Sequence, residues 1–74
     1  MKTRWYRQIT IIGESMIDSY ATYTDGNIKA LQEGNGFIKL NDNSIAQNDS
    51  GIITILELVT DVEVLEELGN PDSL

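Results

Sequence analysis

The chain has 74 residues, with twelve Asp and Glu against five Lys and Arg and neither cysteine nor histidine. A single domain, 1–74, of this size buries only about 60 to 65% of the surface its unfolded form exposes, so its core is modest. Disulfide staples and thiolate metal sites are excluded, and the usual general base and commonest neutral metal ligand are missing.

MKTRWYRQ at the N-terminus lacks the apolar stretch of a signal peptide, and no segment approaches the roughly 20 apolar residues that span a bilayer, which points to a soluble cytoplasmic protein. The net charge of −7 is unevenly distributed. Residues 1–7 carry Lys2, Arg4 and Arg7, hence +3, and residues 8–74 carry twelve acids against Lys29 and Lys39, hence −10. Such a body repels nucleic acid and acidic membranes and steers a basic partner toward it, and the same acidity aids solubility.

In chain order, residues 3–12 read as a half-buried strand, with Trp5, Arg7, Ile9 and Ile11 on one face and Tyr6, Gln8 and Thr10 on the other. Gly13 follows as a point where the strand bends or bulges to present Glu14 and Ser15. Residues 14–19 fit either strand or helix: Met16, Ile17 and Tyr20 make a helical stripe, while Tyr20, Thr22, Tyr23 and Thr24 favour strand at the C-terminal end. Asp25-Gly26-Asn27, Gly34-Asn35-Gly36 and Asn48-Asp49-Ser50-Gly51 are turn signals, with Asn35-Gly36 the strongest hairpin pair. Between them lie expected strands at 28–33, 37–41 and 52–59, with a weaker one within 44–47.

The segment 52–59 is apolar on both faces, which marks a central strand covered by other packing. Thr60-Asp61-Val62-Glu63 reads as a capping box, and Gly69 and Pro71 as a helix exit, so 61–68 forms a short helix. Its Val64, Leu65 and Leu68 share one face, with Val62 at the edge, and Glu63, Glu66 and Glu67 share the other. The expected fold is α+β: a small antiparallel meander with a short C-terminal helix packed on it.

Glu63, Glu66 and Glu67 have no Lys or Arg at i+4, and two of them occupy the last turn, where the helix dipole disfavours anions by a few tenths of a kcal/mol each, roughly. A local cost without local compensation suggests a partner, although a solvated face explains it too. Paired carboxylates acting as acid and base need a sugar-sized cleft, for which a 74-residue meander has little volume, so the chain reads as a non-enzyme. Asn41-Asp42-Asn43-Ser44 and Asn48-Asp49-Ser50-Gly51 lack the distal Glu of a calcium loop, so no metal is expected. Gly34-Asn35-Gly36 opens onto a strand and offers no helix N-terminus to a phosphate, so no cofactor is expected either.

The segment Arg7-Gln8-Ile9-Thr10-Ile11-Ile12-Gly13-Glu14-Ser15-Met16-Ile17 resembles the first strand of the phage-encoded uracil-DNA glycosylase inhibitors, in which a basic residue and glutamine precede aliphatics and a Glu-Ser-aliphatic motif. Those inhibitors are small, acidic proteins that occupy the glycosylase's DNA-binding groove as a mimic of the duplex. The resemblance implies that Glu14 and Ser15 reach into a DNA-contacting site, with Met16 at the aliphatic position. In the best-known members a helix precedes this strand and an acidic helix soon follows it, whereas here the strand comes first and the acidic helix ends the chain.

The leading expectation is therefore an acidic DNA mimic that binds and blocks a basic DNA-binding protein, uracil-DNA glycosylase being the first candidate. Its partner-binding residues would be Glu14, Ser15, Met16, Ile17, Glu63, Glu66 and Glu67, with no direct contact to nucleic acid or membrane. The alternative is a non-catalytic interaction module, such as an antitoxin, adaptor or assembly subunit, that uses a sheet edge.

Overall fold

The structure, a computed structural model, describes residues 2–73. One antiparallel sheet contains β1 (Thr3–Ile12), β2 (Ser15–Thr24), β3 (Ile38–Asn41), β4 (Ser44–Asp49) and β5 (Ile52–Leu58), in the order β2-β1-β5-β4-β3. Helix α1 (Asp25–Gly34) links β2 to β3, and α2 (Val62–Leu68) follows β5, with a 3-10 turn at Pro71–Ser73 behind it. This is a small α+β domain. The run 52–58 is apolar on both faces because it is the middle strand: β1 pairs along one side and β4 along the other.

Turn chemistry sets the registers. Ile12 pairs with Ser15, so Gly13-Glu14 is a two-residue hairpin loop. Gly13 sits at φ +59 while Glu14 keeps a negative φ, the type II′ arrangement that needs glycine first. The expected bend or bulge at Gly13 is therefore a complete reversal, with Glu14 in the turn and residues 15–19 in strand: their helical stripe yields to a ten-residue hairpin arm. Ser50 and Gly51, at φ 53 and 90, close the β4–β5 hairpin in the type I′ sense.

The expected strand at 28–33 is instead α1. Thr24 and Asn27 cap it reciprocally: Thr24 Oγ1 accepts from Asn27 N at 3.1 Å, and Thr24 N donates to Asn27 Oδ1 at 3.0 Å. Ile28 and Leu31 then lie three residues apart on the inward face, and Lys29 reaches Glu33 at 3.9 Å. Asn35 N–H donates to the Leu31 carbonyl, and Gly36 takes φ +74, so this pair ends a helix and does not turn a hairpin.

Helix α1 covers one face of the sheet, where Tyr6, Phe37, Ile45 and Leu56 form the buried cluster with Tyr23, Ile28, Leu31 and Leu58 around it. The rings of Tyr6 and Tyr23 meet edge to face, 5.6 Å between centroids and 83° between planes, and Tyr23 Oη donates to Gln8 Oε1 at 2.7 Å. Trp5 is buried on the opposite face, beneath the C-terminal segment, with Nε1 donating to the Gly69 carbonyl at 2.8 Å. The α2 cap lies one residue later than the expected capping box, since Asp61 Oδ1 accepts from Glu63 N at 2.9 Å and Val64 N at 3.4 Å.

Burial pushes the Tyr6 phenol above its ordinary range, the nearby Asp25 adds to the shift and Arg4 opposes it. A raised folded-state value means that above about pH 10 the unfolded chain gives up this proton more readily. The resulting stability is complete below the unfolded value and is lost as the pH rises through the folded one. Unfolding midpoints of wild type and Tyr6→Phe should run parallel below about pH 10, with only the wild type showing this extra fall above it. Curves that remain parallel throughout would place Tyr6 in a wetter site than the buried cluster provides.

Candidate binding surface

The structure does not bring the seven expected partner-binding residues together. Glu14 stands at the tip of the β1–β2 hairpin, and Ser15, Met16 and Ile17 begin β2. Ser15 and Ile17 lie on the same face as Tyr6, while Met16 lies on the opposite face beside Ile11. Glu63, Glu66 and Glu67 are exposed on α2, which is tied to Trp5 at the other end of β1. Seven residues separate Trp5 from Ile12, or about 23 Å of strand. The length of the sheet thus separates the hairpin tip from α2.

Charge is divided as well. Arg4–Asp25 at 3.5 Å, Arg7–Asp18 at 2.6 Å, Lys29–Glu33 and Lys39–Asp42 at 3.4 Å account for the ion pairs among the described residues. The hydrogen bond and charge of Asp18, with Glu57 contributing from β5, raise the Arg7 guanidinium above its usual value. From residue 40 onward the chain carries eight acids and no Lys or Arg. Glu14, Glu63, Glu66 and Glu67 have no basic partner among the described residues.

The face opposite α1 is covered by the C-terminal segment at Trp5, and Asp61 and Val64 line a hollow there with Arg7, Tyr20 and Glu57. Beyond the Arg7–Glu57 pair of the register it carries Ile9 beside Ile55 and Ile11 beside Ile53, all half-buried, flanked by Met16 at 63% exposure and Ile38 at 65%. Isoleucines on a sheet normally face a second layer, and these four are only half-buried.

The two sheet edges differ in kind. β3 is a short edge of four residues with a register shift between Lys39 and Asn41, features that blunt a strand against further pairing. β2 is ten residues long, without proline, and pairs only with β1 among the described residues. Its outward groups follow from the register. In a two-residue hairpin the Ile12–Ser15 pair exchanges both hydrogen bonds, and alternate pairs do so thereafter. Val59 N donates to the Trp5 carbonyl at 3.0 Å, which independently turns the odd-numbered backbone of β1 toward β5 and its even-numbered backbone toward β2. The N–H and C=O groups of Met16, Asp18, Tyr20 and Thr22 therefore point away from the sheet.

A hollow of about 300 Å³ between α1 and the β3–β4 hairpin contains Arg4, Tyr6, Asp25, Lys39 and Asp42, and its charges are already paired as Arg4–Asp25 and Lys39–Asp42. No group of three acids that could hold a metal ion occurs among the described residues, and none of their helices is long and apolar enough to cross a membrane. The class defined by this geometry is a small α+β domain with one open sheet edge and one partly bare face. No family model, curated protein or solved structure matches the chain.

Proposed function

We propose that the protein is a non-catalytic interaction module of the cytoplasm, which binds a partner protein through the outward edge of β2 and the apolar face beside it. The observation that carries this reading is the unpaired run Met16, Asp18, Tyr20 and Thr22 on a ten-residue edge strand. Such an edge gives affinity through main-chain hydrogen bonds, and Met16 with the adjoining isoleucines supplies apolar contact. In affinity capture, wild type and a Glu63/Glu66/Glu67 triple glutamine variant should retain the same partner, and Tyr20→Pro should lose it. Loss with the triple variant alone would transfer binding to α2.

A second reading is favoured by the eight acids and no bases after residue 39. In it the protein is an acidic DNA mimic that blocks a DNA-binding enzyme, with uracil-DNA glycosylase the first candidate. Glu63, Glu66 and Glu67, fixed on α2, would substitute for phosphates in a basic groove, and Glu14 with Ser15 would make a separate contact at the hairpin tip. A stoichiometric excess of purified protein should then abolish glycosylase activity on uracil-containing DNA, and undiminished activity removes the glycosylase form. Salt separates the two readings: raising it from roughly 0.05 M to 1 M weakens a charge-steered complex and leaves strand pairing largely intact.

A further inference from the structure

We propose that the occupant of the β2 edge is β2 of a second copy of this chain, paired antiparallel about a two-fold axis at Ser19, so that two five-stranded sheets join into one of ten strands. This deepens the edge-binding reading and rests on it. Four residues present outward backbone groups, and this register matches all four to themselves: Met16 opposes Thr22 of the second copy, and Asp18 opposes Tyr20. Each such pair exchanges two hydrogen bonds, about eight in total.

Neighbouring registers are worse. An axis at Asp18 sets Thr22 opposite Glu14 of the second copy, which lies in the hairpin turn outside β2, so the matched run is shorter. An axis at Tyr20 extends the pairing to Thr24, whose N–H is already donated to Asn27 Oδ1 in the α1 cap. The cap thus defines where the self-complementary run stops.

Local charge also favours a second copy. Asp18 is the one ionised side chain on β2, and Arg7 holds it at 2.6 Å, so the edge is locally neutral and offers little to a basic partner. Pairing also places Ile17, 62% exposed, directly beside Ala21 of the second copy on the face that bears α1. The acidic bodies oppose association, so the dimer strengthens with added salt, opposite to a charge-steered complex.

The absence of native cysteine makes the register directly testable. On this axis the two Ser19 residues form a non-hydrogen-bonded pair, about 4.5 Å between Cα atoms, within the span a disulfide accepts. Ala21 residues on the two copies are four positions out of register, about 13 Å apart. Under mild oxidation Ser19→Cys should form a covalent dimer roughly tenfold faster or more than Ala21→Cys. Sedimentation of the wild type should show a mass rising toward twice the monomer across a dilution series, more so at high salt. Tyr20→Pro, with an unchanged circular dichroism spectrum, should stay monomeric. A wild type that is monomeric at every concentration, equal cross-linking rates at 19 and 21, or a dimer that persists in Tyr20→Pro would each overturn the inference. If the wild type is monomeric yet captures a different protein that Tyr20→Pro does not, the second-copy inference fails and the edge-binding reading stands.

Discussion

Leu56→Ala lowers the thermal unfolding midpoint by about 10 °C or more. Leu56 is 1% exposed in the middle of β5, where it belongs to the cluster of Tyr6, Phe37 and Ile45 beneath α1. Removing a fully buried leucine side chain costs about 2 to 5 kcal/mol, because the lost transfer energy is joined by a cavity that a rigid sheet cannot close. A 74-residue domain has only about 4 to 11 kcal/mol in total, so this is a large fraction of its stability. Each kcal/mol moves the midpoint of so small a domain by about 4 to 8 °C. Ile17→Ala, on exposed surface, should change monomer stability by less than about 0.5 kcal/mol. Equal losses at the two positions would deny that the small cluster under α1 holds the fold.

Tyr20→Pro should weaken partner binding by at least about tenfold while leaving the monomer folded, because it removes one outward donor and sets a ring in the path of an incoming strand. Within the domain little is lost, since the Tyr20 N–H points away from β1. Tyr20→Ala separates loss of the ring from loss of the donor, and should bind more strongly than the proline variant. The contrasting substitution is Ser19→Pro, whose N–H belongs to the ladder with Gln8, and it should destabilise the domain itself. Binding constants and urea midpoints for the three variants check the pattern. If Tyr20→Pro and Ser19→Pro were equally destabilising, the assigned direction of the β2 backbone would be wrong.

Strand chemistry and the C-terminal helix were legible from local residues. The two-sided apolar run, expected at 52–59 and found as β5 at Ile52–Leu58, marks a middle strand, and Gly69 with Pro71 place the helix exit. The segment 28–33 is helix although Asp25-Gly26-Asn27 has turn composition, because Thr24, one residue earlier, is a reciprocal cap with Asn27. Cap and turn use the same side chains, and the backbone after them decides between the two. Gly13-Glu14 carried a readable signal, since glycine first in a two-residue loop is the type II′ pattern.

The candidate surface was less legible for a different reason. Which strand lies at an edge is a property of sheet order, and the return of β5 to pair with β1 is a long-range event that no local pattern encodes. Composition showed the acids plainly, but not that the strand separates Glu14 from Glu63, Glu66 and Glu67. Met16 and Ile17 are expected together among the partner-binding residues, and the structure gives them separate settings: one beside Ile11 on the face opposite α1, the other on the face with α1.

Amide hydrogen exchange tests the central claim most directly, read residue by residue in the free protein and in its complex. Edge binding predicts that Met16, Asp18, Tyr20 and Thr22 exchange rapidly in the dilute monomer and become strongly protected once the edge is occupied, by a second copy or by another protein, with the amides of α2 unchanged. Protection confined to residues 63–68, with the four β2 amides as exposed as before, would contradict it.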